Sequence, residues 1–208
     1  VANGVCSGVT LEGGEIITAA KVVSGLDPTY TFIRLVGPAE LNPSFFTQVR
    51  NIKYRGSTVR VHFALNSLPE IKGVSQDQMG TVFSVSPSIK YIERAADAAK
   101  YGRIAEDPYV EFTIPSVINP NFAPEGKHVL SATVQYAPYH LRNQTWSEEL
   151  KVQLKNNVVR VLENYIPEFS AQVKSSAVFS PMDLEDKFGL TEGNLNHGEM
   201  TLNQFFFM

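Results

Sequence analysis

The chain has 208 residues, of which 43% are hydrophobic and 19% are charged, and its formal net charge is −3. This is ordinary globular composition rather than that of a disordered segment, and the scattered lysines and arginines lack the basic footprint of a nucleic-acid-binding protein. A lone cysteine, Cys6, excludes an internal disulfide framework. No apolar run approaches the roughly 20 residues of a transmembrane helix. From both observations we expect a cytoplasmic location.

The first third of the sequence predicts a β-hairpin followed by a capped helix. Gly13-Gly14 supplies a turn between the short runs GVTL and EIIT. Asp27 is placed to cap a helix that begins at Pro28, where the missing N–H of proline costs nothing. A serine before a proline repeats this arrangement at Ser86-Pro87 and Ser180-Pro181.

Later segments predict the strands of a sheet. The run TVRVHFAL (58–65) alternates strictly between large apolar side chains and small or polar ones, which is typical of a half-buried strand. Further strands are predicted within 81–86, 109–116 and 126–137, and residues 170–180 are predicted to be extended. Their lengths suit a largely antiparallel sheet.

Helical periodicity appears between these strands. A helix over 87–102 presents small alanines together with Ile89 and Ile92. The longest helix begins near Thr145, which forms a predicted capping box with Glu148. Its apolar stripe consists of Trp146, Leu150, Leu154, Val158, Val161 and Tyr165. With a short helix after Ser180, the sequence predicts an α+β fold with a mixed, largely antiparallel sheet and four or five packed helices.

The common catalytic motifs are absent from the sequence. There is no G-x-G-x-x-G after a strand, no G-x-x-x-x-G-K-[ST] and no G-x-S-x-G. The histidines are dispersed and show no metal-ligand spacing. By motif alone, the chain holds no complete active site and no metal site.

Four blocks, in order along the chain, resemble one group of flavoenzymes. They are GVTLEGGEIITAAKVVSGLDPTYTFIRLVG, SPSIKYIERAADAAKYGR, QYAPYHLR and FGLTEGNLNHGEMTLNQ. Together they are similar to FAD-dependent oxidoreductases of the phytoene-dehydrogenase-like group, and more closely to the pyridine nucleotide-disulfide oxidoreductase domain-containing protein 2 subgroup. The resemblance spans nearly all of the chain.

This resemblance implies a division of the chain. Residues 1–30 would be a returning hairpin and strand of the FAD-binding domain, 31–180 the substrate domain of an FAD-linked reductase or amine-oxidase-like fold, and 181–208 a truncated return toward the FAD-binding domain. The family's dinucleotide-binding motif would precede these residues. We therefore expect a fragment that alone neither binds FAD nor catalyses, from a parent that uses FAD.

The segment NHGEM offers a candidate site. If it is extended, His197 and Glu199 project to one face, where they could meet a shared ligand near the flavin. The alternative, which we favour over direct catalysis, is that both satisfy backbone groups in a tight turn at Gly198. His197 and Glu199 alone are too few ligands to form a metal site.

The block QYAPYHLR concentrates aromatic side chains with polar tips. Tyr136, Tyr139 and His140 suit a cavity wall that holds an apolar substrate and hydrogen-bonds one end of it. The alternative, which we rank first, is that the tyrosines cap a strand end and pack on the long helix through Trp146.

For the parent protein, the resemblance implies hydride transfer to or from flavin on a small apolar organic substrate. The alternative function is a non-catalytic binding or assembly module of a flavin-fold protein. The chain ends on the apolar residues 205–208, FFFM, which predicts packing on this domain, disorder or self-association through exposed edges.

Overall fold

The computed structural model describes residue 1 and residues 3–205 of the chain. The prediction for the apolar tail therefore lies largely outside the described residues, since 206–208 are not among them. Near the other end, the predicted hairpin is present: β1 (Gly8–Thr10) pairs antiparallel with β2 (Ile16–Thr18).

The central sheet has five strands, and every neighbouring pair is antiparallel. In spatial order they are β4 (Phe83–Val85), β5 (Tyr109–Thr113), β6 (His128–Gln135), β3 (Thr58–Leu65) and β7 (Val173–Phe179). This confirms the predicted fold class of an α+β domain with a largely antiparallel sheet.

Seven α-helical segments and one π-helix accompany the strands within the described residues. Three of the α-helices are single turns. In chain order the segments are the π-helix Thr29–Val36, α1 (Pro43–Arg50), α2 (Ile89–Lys100), α3 (Pro115–Ile118), α4 (Glu148–Glu163), α5 (Phe169–Gln172), α6 (Pro181–Phe188) and α7 (Leu202–Phe205). No helix in this described part is both long and apolar enough to cross a bilayer.

The alternation in β3 places its apolar side chains in the core. Val59, Val61, Phe63 and Leu65 are at most 1% exposed, and α4 covers this face with Leu154, Val158 and Leu162. The opposite face of the strand carries half-buried residues at every second position. One face of the sheet is thus the core, and the other is available to ligands or to further chain.

Two predicted helix caps are wrong by two residues. Ser88 caps α2, because its hydroxyl accepts a hydrogen bond from the Tyr91 amide at 3.1 Å, so Ser86 stays outside the helix. Ser147, rather than Thr145, caps α4 through the Leu150 amide. In both places a nearer serine reaches the third amide of the helix, which is where a capping oxygen is needed.

Two predicted core residues are exposed. Ile89 is 78% exposed, because α2 turns Ala95 toward the sheet and this rotates the predicted stripe by one residue. Tyr165 lies beyond the end of α4 and is 36% exposed. Leu162 and Ile166, both fully buried, fill that part of the core.

Candidate functional site

The segment 53–57 before β3 brings distant parts of the chain together. On one side, the Tyr139 amide donates to the Gly56 carbonyl at 2.7 Å. On the other side, the Glu199 amide donates to the Lys53 carbonyl at 2.9 Å, and the Asn194 side chain donates to the Tyr54 carbonyl. We call the region formed by residues 53–57, 136–142 and 181–199 the sheet-end junction.

Glycine is required where the backbones of the junction meet. A Cβ on Gly56 would lie 1.8 Å from the carbonyl oxygen of Glu192, and one on Gly193 would lie 2.2 Å from that of Pro181. Gly193 also has a φ of +66°, which other residues rarely adopt. The close approach holds Glu192 beside the block that carries the predicted tyrosines and histidine.

Tyr139 and His140 meet carboxylates in this junction. The Tyr139 hydroxyl donates to Glu185 on α6, and this hydrogen bond, with burial, raises the pKa of Tyr139 to about 12. His140 Nε2 lies 3.7 Å from Glu192 Oε1. The two residues therefore form part of a polar cluster, and their predicted contact with a substrate stays a prediction.

The remaining members of that block have other neighbours. The Tyr136 ring lies 6.3 Å from the Tyr109 ring, and Tyr136 has a positive φ of 63° at the end of β6. Trp146 Nε1 donates to the Pro138 carbonyl at 3.0 Å, so the contact with the start of the long helix is present. Whether Tyr136 lines a substrate cavity also stays a prediction.

His197 and Glu199 do not converge on a common point. His197 has a φ of +58° and Gly198 a φ of +137°, so the segment turns instead of extending. The Glu199 carboxylate is paired with both Arg55 Nε and NH2, and this hydrogen bonding raises the pKa of Arg55. Among the described residues no group of three potential metal ligands is found.

Asp27 has a larger role than the predicted helix cap. It is 1% exposed, and its Oδ1 accepts from the Tyr30 amide at 2.9 Å and the Tyr54 hydroxyl at 3.3 Å. Its Oδ2 accepts from the Thr191 amide at 2.8 Å. Burial raises the pKa of Tyr54, and the charge and hydrogen bond of Asp27 raise it further, whereas the hydrogen bonds with Thr29 lower it. One carboxylate thus connects the N-terminal part, the junction and the segment after α6.

A cleft of about 630 Å³ lies between the two ends of the chain. Its lining includes Leu26 and Tyr30 from one end and Glu185 and Lys187 from the other. Since Glu185 also binds Tyr139, the cleft borders the sheet-end junction. Another cleft, of about 440 Å³, lies beside α2, and neither cleft is lined by any of the five predicted site residues.

The described residues do not fit the pyrophosphate of a dinucleotide. The glycine turn at Gly13-Gly14 leads into a second strand, whereas a phosphate cradle leads into a helix. At the start of the π-helix the Asp27 carboxylate already accepts from the Tyr30 amide, and its negative charge would repel a phosphate there. Neither of these two positions provides a phosphate cradle.

Comparison with known proteins places the chain among relatives of oxidoreductases. It is 31% identical over 214 residues to the pyridine nucleotide-disulfide oxidoreductase domain-containing protein 2 of Rattus norvegicus, a match that covers 99% of this chain and 37% of that protein. It is 25% identical over 190 residues to the phytoene desaturase (neurosporene-forming) of Cereibacter sphaeroides, covering 90% of this chain and 35% of the desaturase. No family model matches the chain.

Among solved structures, the crystal structure of a Pyrococcus furiosus protein overlaps 83% of this chain and 34% of that chain, with 12% identity and a TM-score of 0.47. The sequence matches confirm the predicted resemblance, which extends over nearly the whole chain. The chain spans little more than a third of the length of these curated relatives.

Proposed function

We propose that this chain is the substrate-binding portion of an FAD-dependent oxidoreductase that moves hydride between flavin and an apolar organic substrate. The observation that carries the proposal is the match along 99% of the chain to a protein named for its oxidoreductase domain. The similarity to a phytoene desaturase supports the same reaction class.

The geometry of the sheet-end junction supports a role in substrate binding. Tyr139 and His140 are held by Glu185 and Glu192 next to an open cleft, so their positions are fixed before a ligand arrives. In the proposed enzyme the flavin supplies the redox chemistry. The residues of this chain would orient the substrate and exclude water from it.

The chain ends expose apolar side chains that a larger protein would cover. Val23 is 95% exposed and Met200 80% exposed, and Ile16 lies on the outer surface of the hairpin. Exposed apolar patches of this kind mark contact surfaces. Because Asp27 fixes one end of the chain against the other, both ends would face the same neighbouring domain.

The exposed hairpin also favours the second candidate function, a non-catalytic binding or assembly module of a flavin-fold protein. Its two short strands carry apolar side chains on their surface, including Val9, Ile16 and Ile17, each more than 40% exposed. In that case the same surface would bind a partner protein, and the parent would hold flavin without oxidising or reducing a substrate.

The decisive experiment uses the longer reading frame that contains this chain. We expect the purified protein to carry FAD, which dithionite reduces, and to turn over a member of a substrate panel. Tyr139→Phe and His140→Gln should then raise the KM, whereas Ile89→Ala, a change on the exposed side of α2, should leave it unchanged.

The outcomes separate the two functions. Bound flavin without turnover would favour the assembly module, and a protein without flavin would contradict both. Turnover with unchanged KM in both junction variants would remove the junction from the substrate site. The 208-residue chain alone should show no flavin absorbance after gel filtration, and retained flavin would contradict the proposed division of the molecule.

A further inference from the structure

The face of the central sheet that points away from the core carries a row of polar side chains. We call it the open face. Alternation along antiparallel strands brings every second residue of β5, β6 and β3 to this side, and the register places them next to one another. Its polar members include Arg60, His62, Glu111, Ser131 and Thr133.

Arg60 stands near the middle of this face without an ionic partner. Its guanidinium donates to the Thr133 hydroxyl and, at 3.1 Å, to the Ser131 hydroxyl, and both acceptors are neutral. No carboxylate among the described residues lies within 4.0 Å of it. A guanidinium has five N–H donors, so three of them have no acceptor in the described structure.

The half-buried surroundings of Arg60 favour an anionic partner. The side chain is half-buried, and burial lowers the pKa of Arg60 because the charged form loses hydration. Burial also lowers the pKa of His62, with the Arg60 charge as a further cause, and this disfavours a second positive charge on the imidazole.

Glu111 is the carboxylate that shares the open face, and it is occupied elsewhere. The register places Thr133 between it and Arg60, because Thr133 pairs with both residues across the neighbouring strands. The Oε1 atom of Glu111 accepts a hydrogen bond from the Tyr109 hydroxyl at 2.8 Å. Two hydroxyls thus hold Arg60 in place, and three of its N–H donors have no acceptor in the described structure.

An aromatic residue stands opposite Arg60 on the neighbouring strand β7. Phe179 of β7 is the cross-strand partner of Arg60, and its ring meets the His62 ring edge-on at 5.9 Å. Lys187 Nζ lies 5.0 Å from the centre of the Phe179 ring. A face that carries an aromatic ring, a lysine beside it and an arginine on the next strand offers contacts to a molecule with an acidic head and an organic body.

We infer that the open face binds an organic anion, with its carboxylate or phosphate on the guanidinium of Arg60 and its carbon skeleton against Phe179. A planar guanidinium with adjacent unused donors can bind an oxyanion through two parallel hydrogen bonds. The hydroxyls of Ser131 and Thr133 fix its orientation in advance, which reduces the entropy lost on binding. The inference uses only described residues and does not depend on bound flavin or on the proposed reaction.

The test measures binding of three six-carbon probes to the 208-residue chain. Hexanoate and hexyl phosphate carry the two acidic heads, and 1-hexanol is the neutral match. Titrations are followed by NMR through the Arg60 Nε–H signal and the amides of β3 and β6. We expect saturable shifts there with at least one anion and binding of hexanol weaker by about tenfold or more. The stronger anion identifies the head group.

Variants locate the site. Arg60→Gln should weaken anion binding by about tenfold or more. The affinity of Arg60→Lys for the anion should lie between those of Arg60→Gln and the parent chain, because a lysine cannot bind an oxyanion in bidentate fashion. Arg94→Gln, an exposed arginine on α2, is the matched control and should bind as the parent chain does.

Equal binding of hexanol and both anions would overturn the inference, and so would undiminished binding by a folded Arg60→Gln variant. If Arg60→Gln does not fold, the comparison of hexanol with the anions in the parent chain still decides the matter. Shifts confined to surfaces away from β3 and β6 would also contradict it.

Discussion

The central sheet and the two ends of the chain are stabilised by different interactions. The sheet buries a contiguous apolar core, in which Phe63, Leu130 and Val158 are fully buried. The ends place apolar residues such as Val23 and Met200 on the surface. Burial of apolar area makes the sheet stable by itself, whereas the ends depend on a few directional polar contacts.

Those polar contacts converge on the sheet-end junction. Asp27, Asn194 and Glu199 each bind a residue of the segment 53–57, through a hydroxyl, a carbonyl and a guanidinium respectively. Hydrogen bonds fix direction and register, although each adds little net stability. The comparison therefore predicts that substitutions in the sheet unfold the molecule, while substitutions in the junction release the ends and leave the sheet folded.

The largest expected effect is in the core. Phe63→Ala should lower the free energy of unfolding by about 3–5 kcal/mol, because it leaves a cavity beside Phe169, whose ring centre lies 5.2 Å from that of Phe63. Urea unfolding measures the change. Phe122→Ala is the control, since Phe122 is 61% exposed and should change stability by about 0.5 kcal/mol or less. Equal effects of the two would contradict the distinction between core and surface.

The next effect is at Asp27. Asp27→Asn should lower the free energy of unfolding by about 2–3 kcal/mol. The new NH2 group replaces one carboxylate oxygen and then faces a hydrogen-bond donor, which is either the Thr191 amide or the Tyr30 amide together with the Tyr54 hydroxyl. Hydrogen exchange should accelerate in 28–36 and 190–194. Exchange in β3 should change little.

Asp97→Asn, on the exposed side of α2, serves as the matched control and should leave both regions unchanged. If Asp27→Asn accelerated exchange in β3 as much as in the π-helix, the sheet and the ends would form one cooperative unit. The comparison between the two regions would then fail.

The sheet was the more predictable of the two regions. Strict alternation over 58–65 predicts a strand with one buried face, and the structure has that strand with that face. The glycine turn of the hairpin, although it lies near a chain end, is equally local, since it depends on residues a few positions apart. Side-chain periodicity and capping depend on interactions within a single helix, strand or turn, so they can be recognised in the sequence.

The junction could not be predicted in the same way. Thr191 binds Asp27 across 164 residues of sequence, and Asn194 binds Tyr54 across 140. Nothing in either segment encodes its partner. The sequence did place Glu199 in a turn-forming segment, but its pairing with Arg55 depends on how the segment before β3 is positioned by the whole fold.

A smaller effect depends on pH, and one tyrosine in each region reports it. Burial first, then the charge of Asp107, raises the pKa of Tyr91 in the sheet region to about 12, and the Glu185 hydrogen bond does the same for Tyr139 in the junction. A folded-state pKa above the unfolded value of about 10 favours folding while the hydroxyl is protonated. This contribution is complete below pH 10 and is lost as the pH rises through about 12.

Absorbance at the tyrosinate band should therefore show late titrations that include those of Tyr91 and Tyr139, and Tyr139→Phe and Tyr91→Phe should each remove one of them. Tyr139→Phe should also lower the free energy of unfolding by about 1 kcal/mol at pH 7, since it removes one partly exposed hydrogen bond to a carboxylate. Late titration that persists in full in the Tyr139→Phe variant would contradict the contact with Glu185.

The smallest effect is expected for the ion pair of Arg55 with Glu199. Arg55 is 67% exposed on its side chain, so water and salt screen the charge, and a double-mutant cycle with Arg55→Ala and Glu199→Ala should give a coupling energy of about 0.5 kcal/mol. The coupling should shrink further in 1 M salt. A coupling energy above about 2 kcal/mol would mean that the junction, although rich in exposed charge, stabilises the ends as strongly as a core, and the contrast between the two regions would no longer hold.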